Sequence, residues 1–197
     1  MERTAVQQLA KVLRLLVWVV FVINLLCLLL VPGFVAYLVE GGPTEVAQVL
    51  RHGLEQWLGG QGERNFTIAL TFFVSWWVVW SETCPALLTL FFWVCGACTA
   101  SILWQAKSVL DTLLEGNPFQ MCNAEALNRA AVCCWVISGA ALVKLVVWLT
   151  LEKSVAPLFT YTTLFIPGFW MAGLLFQVMS ALFRQAAELK EDQDLTI

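Results

Sequence analysis

One lysine and one glutamate stand where ionisable side chains are costly, and they are the first residues to weigh for chemistry. Lys144 lies about two thirds of the way along an apolar run, residues 130–151. At that depth in a bilayer a charged group costs about 2.5–3.5 kcal/mol on insertion scales, which makes it a candidate for handling an ion or a substrate. Glu82, at the outer edge of another apolar run, is its candidate partner, so Lys144 and Glu82 form a candidate intramembrane polar pair. A structural ion pair, or a lysine whose four-carbon stem carries its ammonium out to the interface, explains the same residues without a function and is the simpler reading. A single lysine with no acid at its own depth is thin support for a transporter.

The seven cysteines do not add a redox or metal centre. Cys95-Gly-Ala-Cys98 has the spacing of a dithiol motif, but that chemistry needs an accessible thiolate at a helix N-terminus. Here the motif falls in mid-run, where cysteine packs as a small apolar residue. Cys27, Cys133 and Cys134 also lie inside apolar runs, Cys84 at the edge of one, and Cys122 in a short polar connection. The single histidine, His52, is far in sequence from every cysteine pair, so no zinc ligand set is expected. With no nucleophile–base pair and no ligand set, the sequence predicts neither an enzyme nor a cofactor.

The elements that must hold these residues follow from composition. Of 197 residues, 60% are hydrophobic and 13% charged, against about 45–50% and about 25% in soluble domains; mean hydropathy is +0.78. A water-soluble domain of this length leaves about 30% of its chain surface exposed, too much for so oily a sequence, and lipid is the expected solvent. The formal net charge of −3 comes without a basic stripe. Direct nucleic-acid binding, which needs cations to neutralise phosphates, is excluded.

A hydrocarbon core of about 30 Å takes about 20 apolar residues of helix. Four stretches meet this need: about 15–39, 86–106, 130–151 and 161–183. The first follows Lys11 and Arg14, runs past Pro32-Gly33 and exceeds the roughly 7–15 apolar residues of a signal peptide, so it reads as an uncleaved anchor. The expected fold is an all-α integral membrane protein, a single membrane domain built as a four-transmembrane-helix bundle. Within the loop 40–85, residues 44–58 place Val46, Val49, Leu50, Leu54, Trp57 and Leu58 on one helix face, as an interfacial amphipathic helix or a cover over the bundle end requires. Asn65-Phe66-Thr67 fits the glycosylation sequon, a pattern frequent by chance. Residues 66–80 alternate with period two and are rich in aromatic and β-branched side chains, which is strand-like. A lone strand cannot cross lipid with its backbone unpaired, so this piece is expected as a strand-like or re-entrant segment, or as a fifth, short helix. Gly96, Ala97, Gly139, Ala140 and Gly173 permit close helix approach, as internal packing or a homodimer face, and Asn24, Gln177 and Ser180 suit interhelical hydrogen bonds.

Charge placement orients the spans. With the N-terminus inside, Arg3, Lys11, Arg14, Lys107, Arg129, Arg184 and Lys190 are cytoplasmic and Arg51, Arg64 and Lys153 external, as the positive-inside rule requires. A fifth span would put most cations outside. Both termini are therefore expected in the cytoplasm, with 40–85 as an external loop, 107–129 as a cytoplasmic connection and 184–197 as a cytoplasmic tail. In the connection, Gly116-Asn117-Pro118 ends one helix, because Gly suits a left-handed cap and the residue before Pro is pushed out of the helical region. Asn123 is placed to cap the next.

The connection and the tail together resemble a known family. Leu113-Leu114-Glu115-Gly116-Asn117-Pro118-Phe119, followed by Asn123, Leu127 and Arg129, looks like a segment of the bacterial membrane proteins of the domain-of-unknown-function 2975 family. The ending Leu182-Phe183-Arg184, through Leu189-Lys190-Glu191-Asp192, to Asp194-Leu195-Thr196-Ile197 is similar to that family's terminus. The resemblance covers about 86–197. It implies a four-span inner-membrane protein, mostly of Gram-positive bacteria, without an established activity, whose gene often neighbours that of a small helix-turn-helix regulator.

Phe119 and Met121 are hydrophobes flanked by turn residues, and Leu195-Thr196-Ile197 is apolar. Either the tail folds back beneath the bundle and buries them, or Asn117, Pro118, Phe119, Asn123, Arg129, Asp192, Asp194, Leu195 and Ile197 form a docking surface for a cytosolic protein. Glu191, Asp192 and Asp194 give that surface a negative field suited to a basic partner such as a DNA-binding domain. The leading expectation is a non-enzymatic protein that anchors or sequesters a cytosolic transcriptional regulator. A small transporter or immunity-type protein using Lys144 and Glu82 is the alternative, and an intramembrane enzyme comes third.

Overall fold

The computed structural model describes residues 2–39, 79–81, 83–116, 119–152 and 161–194. They form four helices, α1 (Glu2–Val39), α2 (Thr83–Leu114), α3 (Met121–Glu152) and α4 (Tyr161–Asp194), with a 3-10 turn, Val79–Ser81, before α2 and no strand among the described residues. Each helix holds a segment long and apolar enough to cross a membrane: Gln8–Val35, Pro85–Leu114, Met121–Leu151 and Thr163–Gln193, with mean hydropathies of 2.9, 2.0, 2.2 and 1.6. At 1.5 Å per residue the helices are about 48–57 Å long. That exceeds the roughly 30 Å of hydrocarbon, so each carries turns beyond its apolar stretch. Leu15, Leu26, Leu29, Val143, Leu164 and Leu175 are all more than half exposed, a surface ordinary against lipid and unworkable in water.

The four helical spans stand where the apolar runs put them. The strand-like reading gains no support: residues 66–78 lie outside the described residues, and Val79 and Trp80 belong to the 3-10 turn. The amphipathic segment 44–58, the sequon at Asn65, Glu82, Asn117, Pro118, Leu195 and Ile197 also lie outside the described residues.

The chain divides into two compact units, Leu26–Trp93 on one hand and Met1–Leu25 with Val94–Ile197 on the other. In the smaller, α1 passes through Pro32 without ending. Proline has no N–H, so the carbonyl four residues earlier, that of Leu28, loses its helical donor. Trp93 replaces it: the indole Nε1 donates to the Leu28 carbonyl at 3.2 Å. Trp80 meets Trp93 edge-on with ring centroids 5.8 Å apart, and Pro32, Val35 and Val79 are buried in the same unit. Pro85 interrupts nothing, because it sits in the first turn of α2, where a backbone N–H has no helical acceptor.

In the larger unit α3 is the inner helix: 33% of its apolar window is buried, against 6–11% for the other three. Ala124, Ala130, Ala131, Cys134, Ile137, Ser138 and Ala141 make its buried face, recurring every three to four residues as a helix stripe does. Their small side chains let neighbouring backbones come close. α4 runs antiparallel along this stripe and touches it at three levels. Ser180 Oγ donates to the Ala124 carbonyl at 2.6 Å. Gly173 lies against the Trp135 indole and the Ala131 carbonyl. Ser138 Oγ donates to the carbonyl of Ile166 at 2.9 Å, the residue before Pro167. Each step is seven residues up α3 and seven down α4, which is two helical turns and the recurrence of left-handed helix pairs. Gly139 plays no part in it, since a Cβ there would meet open space; the close approach is made by Gly173.

Candidate functional site

One end of the larger unit gathers the last turns of α2, the start of α3 and the tail end of α4, joined by the Asn123–Thr112 hydrogen bond and the Phe119–Phe183 ring contact. These are residues that the sequence assigns to connection and tail; Arg14 of α1 reaches the same end at Asp111. α2 closes where Glu115 N–H donates to the Asp111 carbonyl at 3.1 Å and Gly116 N–H to the Leu113 carbonyl at 3.2 Å. Gly116 has φ +83°, the left-handed cap expected of it, which side chains disfavour.

Asn123 is not a cap. α3 has already begun at Met121, and Asn123 is completely buried. Its Nδ2 donates to Thr112 Oγ1 at 2.7 Å, while the Thr112 hydroxyl donates to the Val109 carbonyl at 2.8 Å. The amide thus clasps the end of α2 to the start of α3, and a partner has no access to it. Asn123→Leu removes the donor at a buried site and is expected to lower stability by about 1–3 kcal/mol. Thermal unfolding in detergent measures this, and a midpoint equal to the parent chain's would show that the clasp holds nothing.

Three contacts engage charges at this end. Arg14 Nε lies 2.9 Å from Asp111 Oδ1 as a charge contact without hydrogen-bond alignment. Arg129 Nη2 lies 3.5 Å from Glu125 Oε2 one turn earlier, both well exposed, a pair of the kind worth about 0.3–0.5 kcal/mol. Lys107 Nζ sits 5.2 Å above the Trp104 ring, and Trp104 packs on Phe21 at 6.0 Å.

Phe119 and Met121 are 47% and 43% exposed, so both are only partly covered by the described residues. The Phe119 ring lies 5.7 Å from that of Phe183, which sets the connection beside the root of the tail. From there α4 does not turn back. Residues 184–194 continue as helix for about 16 Å, past the expected end near Lys190, with Glu188, Leu189, Lys190, Glu191 and Asp192 exposed. A fold-back of 184–194 is thereby ruled out. The last turn holds no basic residue. Acids there face the negative end of the helix dipole, each unfavourable by about 0.3–1 kcal/mol, so Glu191, Asp192 and Asp194 work against the helix that carries them.

Of the candidate docking residues, Phe119, Arg129, Asp192 and Asp194 fall at this end, and Asn123 belongs to its interior. Lys144 is partly buried and within electrostatic reach of Cys95 on α2. Its candidate partner Glu82 is outside the described residues, so the pair stays an expectation. Cys98 meets Cys133 across α2 and α3. Among the described residues no group of three or more His, Cys, Asp or Glu could hold a metal ion. Thr112 and Ser138 could not be recognised from sequence as tertiary anchors, because a hydroxyl in a helix bonds its own preceding turn as readily as a neighbour.

A family model described as a protein of unknown function (DUF2975) matches residues 55–197. The match takes in both segments that carry the resemblance and reaches upstream of Ala86 to residue 55. No curated protein and no solved structure matches the chain.

Proposed function

This chain belongs to the DUF2975 family of proteins of unknown function, and from that premise we propose that it is a multi-pass protein of the bacterial inner membrane that anchors or sequesters a cytosolic regulator of the helix-turn-helix type. Its role is non-enzymatic, and both termini face the cytoplasm. The observation that carries this reading is the extension of α4: residues 184–194 continue as helix with Glu188 to Asp192 exposed, and its terminal acids are unfavourable to it. Exposed Leu189, and exposed Phe119 and Met121, supply apolar contacts at the same end. An acidic, partly apolar helix suits a basic protein surface and would steer one towards it.

Charge reversal separates a structural use of these acids from a binding one. Changing Glu191→Lys together with Asp192→Lys should stabilise the last turn of α4 by about 0.6–2 kcal/mol and abolish capture of a basic DNA-binding protein from the host membrane fraction. Capture of the same protein by the parent and reversed chains would end the anchoring idea. So would a reporter fused after Ile197 that is active only outside the cell.

A further inference from the structure

The four helices of the larger unit leave a cavity of about 340 Å³ between them, walled by Leu13 and Val17 of α1, Ile102 and Val109 of α2, Ala130 of α3 and Phe176 of α4. Its surface is almost wholly apolar. Ligand sites run about 300–1,000 Å³ and usually carry a few polar groups that fix orientation. This one has the size, and even Gln105 in its wall leaves almost no polar surface inside, so its occupant is a featureless apolar chain. A smaller notch shares Val17 with it and is formed with Trp18, Phe21, Leu103, Trp104 and Lys107. Lys107 is the first charged residue along α2. Its ammonium, held 5.2 Å above Trp104, therefore lies where the apolar stretch gives way to the headgroup layer, the level at which tryptophans also settle. The neighbouring cation, Arg14, already faces Asp111, whereas Lys107 faces a ring.

We propose that cavity and notch are one binding site for a single anionic phospholipid of the surrounding bilayer. One acyl chain fills the cavity and the phosphate rests on Lys107 beside Trp104. Two features favour a lipid over an apolar side chain of a protein partner. The void opens among membrane helices, where acyl chains are the apolar material at hand, and the cation at its edge gives an anionic headgroup a counter-charge that a hydrophobic side chain would leave unanswered. Among the described residues no acid lines the notch, and Asp111, one turn further along α2, faces Arg14, so a phosphatidylglycerol is preferred to a phosphatidylethanolamine.

The full-length chain, reconstituted in nanodiscs containing equal phosphatidylglycerol and phosphatidylethanolamine and then released in mild detergent, is read by native mass spectrometry. One phosphatidylglycerol per chain is expected to stay bound. Lys107→Gln should lower the preference for it about fivefold, the worth of one cation at a membrane surface. Ala130→Leu, which fills the cavity, should abolish retention with helix content unchanged; Ile102→Phe, from the facing wall, gives the same reading if the first variant misfolds. Equal retention of both lipids with no effect of Lys107→Gln, undiminished retention in a folded cavity-filled variant, or no retained lipid in the parent chain would each overturn the proposal.

Discussion

A Gly173→Val chain should unfold at a clearly lower temperature than its parent, with a loss of about 1–3 kcal/mol or more from overpacking. The added Cβ would fall on the Trp135 indole and come within 3.3 Å of the Ala131 carbonyl. Trp135 is not free to swing aside, since its ring packs near that of Trp170 at 6.3 Å. The Ala131 backbone is held from both directions, seven residues away, by the Ser180 and Ser138 hydrogen bonds. The strain therefore falls on the α3–α4 pair as a whole. In a Trp135→Ala background, which has already lost the obstructing ring, Gly173→Val should cost far less. Gly139→Ala, placed where a Cβ meets open space, should be neutral or slightly stabilising through helix propensity. Unfolding followed by circular dichroism in detergent makes the comparison. Equal midpoints for Gly173→Val and Gly139→Ala would mean that the two helices do not approach as described.

Trp93→Phe should be nearly as costly, though it keeps an aromatic ring. It deletes the N–H that serves the Leu28 carbonyl. That carbonyl lies in an apolar stretch where water does not stand in, and an orphaned acceptor there costs about 1–3 kcal/mol. The decisive arm is Pro32→Ala, which returns the missing backbone N–H to α1. In that background Trp93→Phe should cost little, giving a coupling of about 1–2 kcal/mol in a double-mutant cycle. Strictly additive effects would reduce Trp93 to a packing residue with no tie to the proline.

What could be read before the structure was local. The four spans announce themselves because lipid demands an unbroken apolar run. Gly116-Asn117-Pro118 announces a helix end because backbone sterics act within three residues. The helical run of α4 beyond Arg184 was legible in part, since Gln185 to Lys190 are good helix formers; only its last turn, built against its own dipole, went further than the sequence implied. Asn123 misled because asparagine serves equally well as a cap and as a buried clasp, and only the position of Thr112 on the facing helix decides between them. Gly139 and Gly173 are alike in composition and neighbourhood; the register of α3 against α4 alone makes one an approach point and leaves the other on an open face. Trp93 and Leu28 are 65 residues apart, beyond the reach of any periodicity. The place of Lys144 within an apolar helix was legible, whereas its nearness to Cys95 was not.

The anchors at Trp93, Ser138 and Ser180 share a peculiarity: each ends on a main-chain oxygen, of Leu28, Ile166 and Ala124. Main-chain oxygens come with every amino acid, whereas an indole or a hydroxyl comes with few. Mutational tolerance should therefore be lopsided. At the receiving positions only volume is policed and drift is cheap; at the giving positions a single wrong letter silences the bond.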